Sequence, residues 1–301
     1  MKPNPTLKRL GLSDMDRAVI IHTDDIGMCQ ASVAAFIDLW EFGLISSGSV
    51  MVPCPWFLAA AKYCREHPEV DMGVHITLNS EWETYRWGAV STSDPLSGLL
   101  DEAGYLHQWQ PAVFAQADPA AVQVEIQTQV QKALNAGINI SHIDTHMGTV
   151  AHIKFINAYI QTAIRHHVPA MILRLDVEGY KQVGMDSASA LQAVQEVARL
   201  EEMGLPLIDR ISSIAVEQPE NCLEKAKETL VNLPAGITHF IIHPSKDTPE
   251  LREIVPAWAF RVAEYQAFCS EELRRFLKDS GIQIIGYQDL HNLMPASEKS
   301  G

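Results

Sequence analysis

From Arg17 almost to the C-terminus, short apolar runs alternate with longer stretches whose apolar positions recur every three to four residues. The first run, residues 18–22, has the length and β-branched content of a buried strand. The stretch that follows, 30–41, places Val33, Phe36, Ile37 and Trp40 on one helical face. Further runs at 48–52, 70–76, 138–143, 170–173, 206–208, 237–242 and 282–285 predict strands. Helical periodicity covers 55–66, 119–135, 152–166, 187–203, 217–232 and 258–278, and Pro55 opens the first of these helices. Repeated β-then-α units imply a parallel sheet covered by helices. No Gly-x-Gly-x-x-Gly follows the first strand, which disfavours an open dinucleotide-type sheet. The expected fold is therefore α/β, a (β/α) barrel variant with outer helices.

One interruption breaks the rhythm. Residues 79–118 form a long insertion after the third strand, far beyond the usual handful of residues in a βα connection. It carries Trp82, Tyr85, Trp87, Tyr105, His107 and Trp109. Such a segment reads either as a functional cover whose aromatics stack on sugar rings, or as a subdomain whose aromatics form a small core of their own. The expected organisation is an N-terminal extension over 1–16, a single domain over 17–293 with the insertion inside it, and a polar, disordered tail over 294–301.

Composition narrows the partners. A net charge of −14 offers no basic stripe for a phosphate backbone and fits a neutral or amine-bearing substrate better than an anionic one. The five cysteines, Cys29, Cys54, Cys64, Cys222 and Cys269, lack Cys-x-x-Cys spacing and read as reduced thiols. The N-terminus lacks an apolar stretch of signal-peptide length, and no run approaches the roughly 20 apolar residues of a membrane helix. The expectation is a cytoplasmic protein with a small-molecule partner, no nucleic acid and no membrane; a homo-oligomer is left open.

The candidate chemistry sits at strand ends, where catalytic groups gather in parallel α/β folds. His22-Thr23-Asp24-Asp25, Gly73-Val74-His75 and Ser141-His142-Ile143-Asp144-Thr145-His146 each close an apolar run with metal-type ligands. Carboxylate and imidazole from separate strand ends suggest a divalent cation, and an open cation site suggests hydrolysis. Asp24 and Asp25 can converge only where the chain bends toward Ile26-Gly27; one would then ligate the cation and its neighbour act on water. The same pair can also be read as a cap for the helix beginning near Met28 or Cys29. His142, Asp144 and His146 share one face of an extended strand, and Asp144 could orient a ligating imidazole through its second nitrogen. His142 and Asp144 are expected near the cation but not bound to it. His75 alone reads more readily as a hydrogen-bonded structural histidine than as a ligand. His243, held extended by Pro244, points one more imidazole at the same rim and could protonate a departing amine.

Together these segments, with Ile242-His243-Pro244, Gly281-Ile282 and Tyr287-Gln288-Asp289-Leu290, resemble in order the motifs of the YdjC-like family, the ChbG/HpnK carbohydrate deacetylases. The resemblance implies a (β/α) barrel variant that removes N-acetyl groups from amino sugars or oligosaccharides. It places metal ligands on Asp25, His75 and His146, the catalytic base on Asp24 and the proton donor on His243. Trp82, Tyr85, Trp87 and Trp109 are the candidates for substrate binding. Many family members continue the fourth motif with further histidines, whereas Met147-Gly148-Thr149 follow His146 here, so a chitooligosaccharide preference is not implied. The ligand types favour zinc or another transition metal; magnesium is compatible with the resemblance. The rival readings are a metal-dependent hydrolase of another amide or of an ester, and a carbohydrate-binding protein that keeps the fold without turnover.

Overall fold

The computed structural model describes residues 2–215 and 218–296. Seven strands, β1 (Arg17–Ile26), β2 (Ser47–Val50), β3 (Met72–Ile76), β4 (Ile140–Thr145), β5 (Arg210–Ser213), β6 (Gly236–Ile242) and β7 (Gln283–Ile284), form one sheet. Every pairing is parallel, in the order β4-β3-β2-β1-β6-β5, with β7 beside Ala18 and Val19 of β1. Between the two end strands, bridges from Ile143 to Ala170 and from Leu173 to Ile208 carry the hydrogen bonding around. The architecture is a (β/α) barrel variant in which two staves are reduced to these contacts. The segments expected as strands at 170–173 and 206–208 are those staves. Pro169 and Pro206 remove ladder donors just where each would begin, and regular pairing resumes only at Arg210.

Alternation along each strand separates two apolar regions. Val19, Ile21, Met72, Val74, Ile76, Phe240 and Ile242 belong to the large core that also contains helix residues such as Phe36, Leu39, Ile126 and Phe268. Ala18, Ile20, Ile208, Ile237, Tyr287, Leu290 and Leu7 form a second, smaller cluster that floors the barrel. Leu7 arrives from the N-terminal segment, whose helix Pro5–Arg9 is capped by Asn4. The Asn4 amide also donates to Leu207 O and Asp209 Oδ2, so this segment is packed into the base of the barrel.

The helix expected over 258–278 is two helices, Trp258–Phe268 and Glu271–Asp279. Ser270 explains the break, since its side chain caps the second by accepting from Glu272 N–H. The helix expected from 217 is seen over Cys222–Val231, and residues 216–217 lie outside the described residues, as do 297–301 of the expected tail. Within 79–118 the chain forms the helix Gln110–Gln116 and a bridge between Leu100 and Leu106.

Two irregularities prepare the site. Between the pairs Thr23–Gly48 and Ile26–Val50, β1 takes three steps against two on β2. Between Met72–Ile140 and Val74–Ile143, β4 takes three steps against two on β3. An extra residue of this kind lets two successive side chains face the same way.

Candidate active site

The first bulge carries Asp24 and Asp25. Asp25 adopts a left-handed φ of 61°, a conformation that short polar side chains tolerate best. Both carboxylates thereby meet His75 of β3, whose Nε2 lies 3.5 Å from Asp25 Oδ1 and 3.8 Å from Asp24 Oδ2. Neither caps the next helix, which begins after Cys29. His146 follows β4 directly and puts its Nδ1 3.2 Å from Asp25 Oδ1. Asp25, His75 and His146 are all buried, and one ligand atom of each lies within 4.8 Å of the others.

Partners behind these groups fix their orientation. His75 Nδ1 is 2.9 Å from Asp144 Oδ1, and Ser49 Oγ donates to Asp144 Oδ2. Glu81 receives His146 Nε2 at 3.0 Å. Arg261 donates to Asp25 Oδ2 at 2.7 Å. Burial pushes the Asp25 carboxyl up, but Arg261, His146 and His75 outweigh it and hold the group well below the usual carboxylate range. Burial pulls both imidazoles down, yet Asp144 and Asp24 raise His75 well above its ordinary value, and Glu81 and Asp25 raise His146 to about 9.

Two buried atoms of this arrangement lack a hydrogen-bond partner, Arg261 Nη1 and Asp25 Oδ1. Asp25 Oδ1 is buried and makes no hydrogen bond, although two imidazole nitrogens face it. An unpaired carboxylate oxygen flanked by two imidazole nitrogens suits a divalent cation, which satisfies all three without hydrogens. A second group, His22, Asp24, Asp144 and His239, also has ligand atoms close together. There the donors are already used: His22 Nδ1 on Asp24 Oδ1, Asp144 Oδ2 on Ser49, and His239 Nδ1 on the Tyr287 hydroxyl. That group is a hydrogen-bonded network in its own right.

His243 ends β6 with its Nε2 3.9 Å from Asp24 Oδ2, and its side chain is 39% exposed. Its backbone N–H donates to Glu264 Oε2. His142 makes no hydrogen bond to Asp25, His75 or His146; its Nε2 lies 2.9 Å from His22 Nε2. Of the insertion's aromatics, Trp87 is buried, with its ring 6.4 Å from that of His146 and its indole N–H on Asn79 O. Tyr85 donates to Met28 O, and Trp82 lies 6.0 Å from the Arg261 guanidinium. Trp109 alone among the four is exposed, at 57%, next to Gln110, which donates to Met147 O beside His146.

Four contributors escape a reading of the sequence by strand ends: Glu81, Arg261, Ser49 and Glu264. Ser49 alone has a signal, because it alternates with Ser47 on the inner face of a predicted strand. Arg261 comes from a helix 236 positions away from its partner, and nothing local marks it.

The model of YdjC-like proteins matches residues 18–279. The chain belongs to the YdjC-like family. It is 30% identical to a protein of Thermus thermophilus named carbohydrate deacetylase over 277 residues, covering 91% of this chain and 94% of the relative. A protein of Thermoanaerobacter pseudethanolicus with the same name is 25% identical over 275 residues, covering 90% and 98%. Among solved structures, a protein of Enterococcus faecalis V583 named for cellobiose-phosphate cleavage superposes with a TM-score of 0.73 at 20% identity, covering 91% of this chain and 99% of that one. This YdjC-like chain therefore shares its fold, along nearly its full length, with a solved protein. No helix among the described residues is long and apolar enough to cross a membrane.

Proposed function

We propose that this YdjC-like protein hydrolyses the N-acetyl group of amino sugars or their oligosaccharides, using one divalent cation held by Asp25, His75 and His146. The observation that carries the reading is the unpaired Asp25 Oδ1 between two imidazole nitrogens, next to a carboxylate that faces a half-exposed histidine. The names of the relatives supply the substrate class. Two imidazoles and one carboxylate form a donor set suited to zinc or another transition metal. When bound, the cation supplies Lewis acidity, which polarises an amide carbonyl and makes water more acidic.

The chain's own residues divide the proton work. Asp24 Oδ1 is engaged by His22, so Oδ2 is the oxygen left to take a proton from the attacking water. Burial raises the Asp24 carboxyl, but His75 and His22 outweigh it and keep the group below its ordinary value, ready as an acceptor. His243 sits on the solvent side of the same oxygen and gives a proton to the departing nitrogen. The C–N bond breaks, and acetic acid, which keeps the second hydrogen of the attacking water and ionises to acetate in solution, leaves with the free amine. The pair can pass the proton from Asp24 Oδ2 to His243 once per turnover, so no outside acid is needed. Trp109, exposed and next to Gln110, whose amide reaches Met147 O beside His146, would serve as a platform for a sugar ring.

Purified protein of measured metal content, offered N-acetylated mono- and oligosaccharides, should release acetate, and chelation should stop the release. Binding of sugar and cation with no acetate would make the protein a carbohydrate-binding member of the fold.

A further inference from the structure

Beneath Asp24 the barrel interior holds a line of polar side chains that the reaction itself does not consume. His22 Nδ1 lies 2.7 Å from Asp24 Oδ1, and His22 Nε2 lies 2.9 Å from His142 Nε2. His142 Nδ1 is 2.9 Å from Ser141 Oγ, which is 2.5 Å from Asp71 Oδ1. All five residues are buried. The bulge in β4 makes the line possible by turning the neighbours Ser141 and His142 to the same side.

Each of the four contacts needs one hydrogen. Two neutral imidazoles and one hydroxyl supply three. The line is complete only with one further proton, carried by a carboxylate at either end or by an imidazole between them.

We propose that Asp71, Ser141 and His142 are positioning residues that hold His22 with its hydrogen on Nδ1, so that Asp24 Oδ1 is occupied and Oδ2 is the oxygen left facing the site. This rests on the reading of Asp24 as the base. The surroundings favour the extra proton at the far end. Burial lifts the Asp71 carboxyl above its usual range, although Ser47 Oγ and the Gln288 N–H also donate to it, and burial holds His142 well below the usual imidazole range. With the proton on Asp71, every hydrogen points one way: Asp71 to Ser141, Ser141 to His142 Nδ1, His142 Nε2 to His22 Nε2, His22 Nδ1 to Asp24. A line filled in this direction has no room for the proton that Asp24 takes from water. That proton must leave from Oδ2, toward His243.

The packing reserves space for the line. A methyl group at Gly73 would collide with the His142 ring, and one at Gly286 would collide with the Asp71 carboxylate. Tyr287 stacks on His142 with ring centres 3.7 Å apart and planes 11° apart.

The test is ¹⁵N NMR of histidine-labelled protein, joined to kinetics on an N-acetylated amino sugar and to metal analysis. Wild type should carry hydrogens on His22 Nδ1 and His142 Nε2. His142→Phe keeps the stack on Tyr287 but breaks the line, and should lower kcat about 100-fold with KM and cation per chain nearly unchanged. Asp71→Ala should lower kcat at least about tenfold. Asp71→Asn, whose amide donates to Ser141 as the protonated carboxyl does, should recover most of that loss and restore the His142 tautomer. Should Asp71→Ala fail to fold, Gly73→Ala displaces the ring while keeping every ionisable group, and should lose the same tautomer. A wild-type His22 protonated only on Nε2, or Asp71→Asn as damaged as Asp71→Ala, would overturn the proposal. The tautomers and the metal content need no substrate. Correct tautomers in a protein that never releases acetate would support the line and sink the deacetylase reading instead.

Discussion

His75 and His146 each face carboxylates with both ring nitrogens: Asp144 and Asp25 for the first, Asp25 and Glu81 for the second. In chelator-stripped protein both imidazoles therefore carry two hydrogens, in line with His146 raised to about 9 and His75 raised well above its ordinary value. A cation must expel one proton from each ring. At pH 7, about two units below its pKa, the proton on His146 alone weakens cation binding about 100-fold, or about 3 kcal/mol. Wild type should thus release close to two protons per cation at pH 7, and affinity should climb steeply up to about pH 9. Glu81→Gln removes the charge that most raises His146, so proton release should fall toward one at pH 8. Two effects then oppose each other. Weaker proton competition tightens binding near pH 7, while the lost charged partner of the ligand loosens it about 10- to 100-fold. Near pH 7 they largely cancel; at pH 9 only the loss remains, and the variant should bind about 10- to 100-fold more weakly. The sign of the stability linkage follows from the same raised pKa. Its contribution is fully present below the unfolded value of 6.5 and is lost as pH rises through about 9, so stripped protein should melt at lower temperature at pH 9 than at pH 6.5. Calorimetric titration with Zn²⁺ in buffers of different ionisation enthalpy counts the protons directly. Release of less than one proton by wild type at pH 7, or an unchanged pH slope in Glu81→Gln, would refute the reasoning.

Asp24→Asn should keep its cation by metal analysis while acetate release falls about 100-fold or more. His243→Ala should also keep the cation and slow departure of the amine, which is measurable as a loss that grows with the basicity of the leaving nitrogen. Asp25→Asn should lose the cation and also destabilise the stripped fold by about 3 kcal/mol, because it strands the buried Arg261 charge. Adding Arg261→Met should return the melting temperature toward wild type without restoring cation binding. Trp109→Ala should raise KM for an oligosaccharide more than it lowers kcat, and an unchanged KM would remove it from the substrate path.

Much of the barrel was legible because strand and helix periods differ, and the helix Pro119–Asn135 falls where periodicity places it. Staves at 170–173 and 206–208 were over-read, since apolar runs of three or four residues carry no information about the ladder donors that Pro169 and Pro206 remove. The strand-end carboxylates and imidazoles announce themselves by type and position. Their orientation does so only in part: the bend at Ile26-Gly27 hints at the convergence, but the left-handed backbone of Asp25, a non-glycine residue, leaves no mark in the sequence. The aromatics of 79–118 illustrate the converse. Trp82, Tyr85 and Trp87 look like a sugar platform in sequence, yet packing and hydrogen bonds claim most of their surface and leave Trp109 as the exposed ring.

Along β1 the inward positions Ala18, Ile20, His22 and Asp24 pass from methyl to branched alkyl to imidazole to carboxylate within one strand. This grading decides which way charge can move. The floor of Leu7, Ala18, Ile20, Ile237 and Leu290 gives a proton no partner beyond the histidines and the Ser141–Asp71 pair that ends their line. The histidine layer above it is closed on itself, with His22, His142, His239 and Tyr287 each using a neighbour. The top layer has unfilled demands, at Asp25 Oδ1 and Arg261 Nη1, and there His243 reaches solvent. On the proposed reading, cation, water and proton would enter and leave this barrel at the strand C-termini. Asp24, which belongs to both the closed layer and the open one, is therefore the residue at which a substitution should separate cation binding from turnover most cleanly.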